Sequence, residues 1–314
     1  MKKEQRRGKM KKMKTNRCKV VVLTVIALCL LVACHDGGTE EYVSEQRAVS
    51  LFVSGNRFEA DADKEPFDTV FFASSLTAGR YEAIWPAVVH EGGTADFTVP
   101  RYYPYDNSAL YLRGFFPAAS LYENALSFNL TGVEDVRVSE ERQGRLTDMF
   151  WNQEKSFTFN HLLTQLVFSL QTNYQTDSCC LQTLSVSGTR LQAILLPGND
   201  TLTFSGPPAG VVAYDLSEQG DTLWLSGDKT IALPCCVLVE PGASLSLNLT
   251  LTENGKIVEC GPLPIVFHET DGKSQAGTSY RVTVTVSPRT DMQLVSVSVV
   301  DWERIHVDGI IDLF

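Results

Sequence analysis

Histidines, cysteines and spaced carboxylates are the side chains of this 314-residue chain that could carry chemistry, and their spacing argues against most of it. His35, His90, His161, His268 and His306 are far apart, and no two have the helical spacing that places two metal ligands on one face. His161 lies in an apolar run and reads as a hydrogen-bonded core histidine. Asp61, Asp63 and Glu65 alternate in DADKE, but the glycine and distal glutamate of a calcium loop are missing, so the stretch reads as a solvated loop. G-x-S-x-G, H-E-x-x-H, the Walker loop and the dinucleotide fingerprint are absent, and nothing singles out a carboxylate pair for glycoside hydrolysis. The expectation is a chain that is not an enzyme and uses no cofactor and no metal.

The cysteines divide by position. The doublets Cys179-Cys180 and Cys235-Cys236 lack the C-x-x-C spacing of zinc and redox sites. With Cys260 they make five, which cannot all pair. Neighbours on a strand point to opposite faces, so one cysteine of each doublet is expected to be buried as a small apolar residue. A disulfide between the two doublets is the alternative, and the sequence leaves the redox state open. Cys34 is different. Residues 1–19 carry ten Lys or Arg and one Glu, and residues 20–33 are almost wholly apolar. That is the pattern of a secretory signal; fourteen apolar residues fall short of the roughly 20 that span a bilayer. Leu31, Val32, Ala33 and Cys34 resemble a bacterial lipobox, in which the cysteine thiol receives a diacylglyceryl group. Residues 1–33 therefore read as a lipoprotein signal peptide and Cys34 as the lipidated N-terminus of the mature chain.

These sites must be held by something, and the rest of the chain says what. The whole sequence has 27 basic and 37 acidic residues, for a charge of −10; without residues 1–33 it has 17 and 36, for −19. Such a surface repels nucleic acid. The 281 residues left suit two domains of ordinary size. Period-two alternation dominates. In SYRVTVTVSP, Tyr280, Val282, Val284 and Val286 share one face; in ASLSLNLTLTENG, Leu245, Leu247, Leu249 and Leu251 do so before an Asn254-Gly255 turn. QLVSVSVVDW, YLRGFFP and TQLVFSL read as further strands, and FNHLLTQL has room for one helical turn. Short strands cut by Gly, Pro and Asn indicate an all-β, antiparallel sandwich. The polar break WNQEKS suggests a boundary, giving an N-terminal domain at 34–155 and a C-terminal domain at 156–314. Tyr102, Tyr103, Tyr105, Tyr111, Phe115 and Phe116 cluster in the first half and read as core and interface packing, with a sugar-binding platform as the alternative.

The order ALYLRGFFP, TDMFW, FNHLLTQLVFSL, AGTSYRVTVTV and VSVVDWE resembles the fimbrillin family of Bacteroidales. TDMFW (147–151) is similar to its Asp-hydrophobic-hydrophobic signature, FNHLLTQL (159–166) to its Phe-x-His-x-x-x-x-Leu signature, and Trp302 fits near the end. The resemblance implies two transthyretin-like, Greek-key β-sandwich domains. It also implies a surface lipoprotein of the outer membrane that becomes a shaft, tip or anchor subunit of a fimbria. In the polymerising members a protease cuts after an arginine near the N-terminus, and a strand from another subunit fills the groove. By that resemblance Arg47 is the candidate processing site, and its cut is expected to free both lipid and first strand.

That first strand is expected over residues 48–54, with Val49, Leu51 and Val53 turned inward. Ile310 and Ile311 in the apolar C-terminus are the candidate donor residues. The implied partners are other fimbrial subunits and a ligand on a host or bacterial surface. The alternative is a monomeric surface lipoprotein that binds glycan through the Tyr-rich half. Thr69, Thr201 and Thr222 lie in D-T-V and D-T-L triplets that resemble an O-glycosylation motif of Bacteroidetes.

Overall fold

A computed structural model describes residues 46–54, 69–90, 92–151, 153–172, 179–218, 222–225, 227, 229–268, 271–286 and 294–302. The chain divides into two units, residues 1–46 and 47–314, and the fold below is that of the second. Its strands are β1 (Ser50–Ser54), β2 (Thr69–Ser75), β3 (Ala83–Val89), β4 (Thr94–Phe97), β5 (Leu110–Phe116), β6 (Ser120–Tyr122), β7 (Ala125–Asn129) and β8 (Arg137–Gly144). After a short 3-10 turn at Gln153–Lys155 come β9 (Phe157–Thr158), β10 (Asn160–His161), β11 (Thr164–Thr172), β12 (Cys179–Thr189), β13 (Gln192–Leu195), β14 (Thr203–Ser205) and β15 (Ala209–Asp215). The last are β16 (Lys229–Val239), β17 (Ser246–Glu253), β18 (Lys256–Pro264), β19 (Ser279–Val286) and β20 (Leu294–Val300). The protein is all-β, as the alternation requires.

An eight-stranded sheet has the order β10-β8-β5-β2-β3-β4-β1-β9. Its edge strands, β9 and β10, are separated in sequence by Phe159 alone. The sheet therefore curls until one short stretch serves both edges, and β8 comes up against β9. Inside lie Val49, Leu51, Val53, Val70, Phe72 and Phe157 among others. Outside, Ala73, Phe115 and Val138 pack against Leu126, Phe128, Ala193 and Leu195 of a small sheet, β14-β13-β7-β6. The remaining strands form a sandwich of two four-stranded sheets, β16-β11-β19-β20 and β15-β12-β17-β18. Its core holds Leu166, Phe168 and Leu170 against Leu247, Leu249 and Leu251, with Val282, Val284 and Val286 alongside.

The expected boundary at residue 155 falls at the 3-10 turn, but strands beyond it return to the first half: β9 pairs with β1, β10 with β8, and β13 with β7. The Asn254-Gly255 turn is present, with φ of 48° and 75°, and sets Glu253 opposite Lys256. Positive φ at both central residues matches the twist of a two-residue hairpin. FNHLLTQL forms no helical turn. It follows β9 and runs on as β10 and the start of β11, because Phe159 enters one core, Leu162 and Leu163 a second, and Leu166 a third.

Candidate functional site

Strand β1 begins where the ladder permits. Val49 N donates to Arg101 O at 2.8 Å, and Tyr103 N donates to Arg47 O at 3.2 Å, on either side of an Ala48–Tyr102 bridge. Ser50, Leu51 and Phe52 then pair with Asp96, Ala95 and Thr94 of β4. Val53 and Ser54 run parallel to Phe157 and Thr158 of β9, and Phe159 N donates to Ser54 O at 2.9 Å. Gly93 fits because it lacks a Cβ: at its φ of +80°, a Cβ would lie 2.6 Å from Val53 O. The expected alternation is what the structure shows. Val49, Leu51 and Val53 are 3%, 1% and 5% exposed, while Ser50, Phe52 and Ser54 face outward. Full burial of each aliphatic side chain is worth about 1.5–3 kcal/mol, and each backbone bond a net ~0.5–1.5 kcal/mol. On the outer face Ser54 Oγ lies 3.0 Å from Thr158 Oγ1 and the Phe52 ring 6.0 Å from that of Trp151; the apolar and backbone contacts are of a kind that another strand of similar pattern can make.

Arg47 is exposed, just outside this seat. Here the chain order corrects one expectation. The strand lies on the C-terminal side of Arg47 and stays joined to β2 through residues 55–68. A cut after Arg47 therefore removes the leader but not the strand. Cys34, Ile310 and Ile311 lie outside the described residues, as do residues 61–65 of DADKE.

The two signature segments are packing devices. In TDMFW, Phe150 is buried and its N–H donates to the Tyr103 hydroxyl at 2.7 Å. Burial, the leading cause, pushes the Tyr103 phenol from 10.0 up to about 12. Asp148 of the same segment pairs with Lys155 at 2.6 Å. In FNHLLTQL, His161 is the hydrogen-bonded core histidine that the sequence suggested: Nδ1 lies 2.8 Å from Asp135 Oδ1. Trp302 stacks on its ring with centroids 3.9 Å apart. Neither partner was legible, since both lie far from His161 in sequence. Buried Arg113 was missed altogether. It donates to Ser139 O, the Tyr81 hydroxyl, Asn199 O and Asp200 Oδ1.

Cys179, Cys180, Cys235, Cys236 and Cys260 are all free thiols. Both members of the first doublet are buried, not one, because residues 223–225 pair along β12 there and Trp224 bridges to Cys180. Cys235 and Cys236 are half-buried, and burial pushes the Cys235 thiol up to about 12. No group of three His, Cys, Asp or Glu among the described residues could hold a metal ion. Of the Tyr-rich cluster, Tyr103 and Phe115 are buried, Tyr111 and Phe116 half-buried, and only Tyr102 and Tyr105 exposed. Thr201 and Thr222 are exposed, and Thr69 is half-buried at the start of β2.

Comparison with known proteins bears on this architecture. A candidate cell adhesion protein from Bacteroides uniformis ATCC 8492 superposes with a TM-score of 0.57 at 18% identity, over 82% of this chain and 99% of that one. Another, from Bacteroides ovatus ATCC 8483, gives 0.52 at 10% identity, over 82% of this chain and 99% of that one. At such identities the likeness is one of fold. No curated protein sequence matches the chain. The family model described as fimbrillin-like matches residues 69–302, from the first residue of β2 to the tryptophan that stacks on His161. The chain belongs to the fimbrillin-like family.

Proposed function

We propose that this protein is a structural subunit of a fimbria, carried to the outer membrane by lipid on Cys34 and joined to neighbouring subunits by strand exchange at the β1 seat. The observation that carries this reading is the seat itself. A short strand with Val49, Leu51 and Val53 alternating into the core is held mainly by backbone ladders and shape, with serine hydroxyl contacts on its outer face and, among the described residues, no disulfide or ion pair. Membership of the fimbrillin-like family supports the role. The C-terminus, with Ile310 and Ile311, supplies the donor, and Arg47 is where the lipid-bearing leader is cut away. Thr201 and Thr222, both exposed, and Thr69 are the acceptors for O-linked sugar. Adhesion to a host or bacterial surface is the role of the assembled fimbria.

The test is a partly denaturing gel of the native protein. A ladder of concatenated subunits is expected, and deletion of residues 307–314 should abolish it. A deletion chain that polymerises like the parent overturns the assignment of the donor, and a parent that yields only monomer overturns the subunit reading.

A further inference from the structure

We infer that a cut after Arg47 sheds the protein from its lipid while leaving the fold closed, so that release from the membrane and opening of the β1 seat are separate events. The inference rests on the processing of Arg47 proposed above and adds what that processing does.

Hydrolysis adds water across the amide after Arg47: the C–N bond breaks, Arg47 leaves with a carboxylate and Ala48 keeps an ammonium. Of the described ladder bonds around β1, only that from Tyr103 N to Arg47 O involves the departing side. Val49 N to Arg101 O, the pairing with β4, Val53 N to Gly93 O, and the pairing with β9 all belong to residues that remain. Val49, Leu51 and Val53 also remain, and Ala48 is exposed, so its new ammonium need not enter the core.

The seat also decides how the bond becomes available. A peptidase takes its substrate as an extended strand and points the scissile carbonyl at its own N–H donors. Here that carbonyl is already bonded to Tyr103 N, and Val49, two residues past the cut, is 3% exposed. Residues 47–49 must fray from 101–103 before they can be cut, while Ser50–Phe52 stay paired with β4 and Val53–Ser54 with β9. Opening the seat takes something more: displacement of β1 by a competing strand, or a cut between β1 and β2.

The experiment uses the full lipidated chain in detergent and an arginine-specific endopeptidase. Two variants isolate the outcomes. Arg57→Gln removes the one arginine between β1 and β2, leaving Arg47 to be cut; Arg47→Gln does the reverse. Each product is sequenced at its N-terminus, partitioned between detergent and water, and offered a fluorescent peptide of residues 48–54. The Arg57→Gln chain should give a water-soluble product that starts at Ala48, stays monomeric and takes up no peptide. In the Arg47→Gln product β1 and the lipid are no longer covalently joined to the rest of the fold, so that product should exchange β1 for the peptide. Peptide uptake or polymerisation by the product that starts at Ala48 overturns the inference. Failure of the Arg57→Gln chain to be cut after Arg47 overturns the processing reading instead.

Discussion

Adding one methyl group at Gly114 should cost the protein a net of about 1 kcal/mol. Gly114 lies in β5, opposite Phe72 of β2, and its N–H donates to Ser139 Oγ at 2.8 Å. A Cβ built there would lie 2.4 Å from Phe159 Cζ, 3.0 Å from Phe159 Cε2 and 3.1 Å from Ser139 Oγ. Carbon atoms rest at about 3.5–4.0 Å, so the ring tip must retreat by roughly 1 Å. The ring has little room to yield: Phe159 is 3% exposed and set edge-on to Phe72, which is itself wedged against Phe97 and Phe157. Overpacking of this kind costs about 1–3 kcal/mol, and the better backbone behaviour of alanine in a strand offsets roughly 0.5–1 kcal/mol of it. Urea unfolding of Gly114→Ala, Phe159→Leu and the double variant would measure it. Leucine withdraws the ring tip, so the double variant should lose at least ~0.5 kcal/mol less than the sum of the singles. Costs that add, or a Gly114→Ala chain as stable as the parent, would refute the proposition that glycine is there to admit the ring.

Four further outcomes are expected. Replacing Arg113 with Met strands Ser139 O and Asn199 O and should cost on the order of 3 kcal/mol, whereas Asp200→Asn, whose side chain is 88% exposed, should cost under ~1 kcal/mol in the same urea titration. Tyr103 has a folded value raised from 10.0 to about 12, so its contribution is fully present below pH 10 and is lost as pH rises from 10 towards 12; Tyr103→Phe should flatten that alkaline fall in the unfolding midpoint. The Cys235 thiol, held at about 12, stays protonated at pH 8 and should alkylate far more slowly in native protein than in urea, as read by peptide mass. Mass spectrometry of membrane-extracted protein should find acyl mass on Cys34, and an intact, unlipidated stretch through residues 28–40 would end that assignment.

Strands that face one core were open to reading in the sequence, because a period of two admits only one assignment of faces. Tyr280 to Val286 and Leu245 to Leu251 alternate without a break, and the sandwich takes both as written. Val49, Leu51 and Val53 are a shorter case of the same rule. The apparent helical turn in FNHLLTQL failed for the opposite reason. Apolar residues at 159, 162, 163 and 166 have helical spacing, but that spacing arises from a chain crossing between cores. Arg113 was illegible because its acceptors come from residues 81, 139, 199 and 200, and no local pattern marks a buried cation. Arg47 precedes β1, which precedes β2, so a cut after Arg47 cannot free the strand, and that much follows from chain order alone.

The crossing explains why so short a signature marks so large a fold. Within eight residues, Phe159 fills the curled sheet over Gly114, His161 braces the junction between Asp135 and Trp302, and Leu166 enters the sandwich. Its immediate neighbours in β9 and β10 occupy the two edges that would otherwise leave the eight-stranded sheet open. The stretch from Phe157 to Leu166 thus touches all three cores and forms one wall of the β1 seat. The β9 wall is thus fixed from behind by the junction, while β1 in front of it is held by packing, backbone bonds and the Ser54–Thr158 hydroxyl contact, so replacement of β1, as proposed, would leave the wall in place.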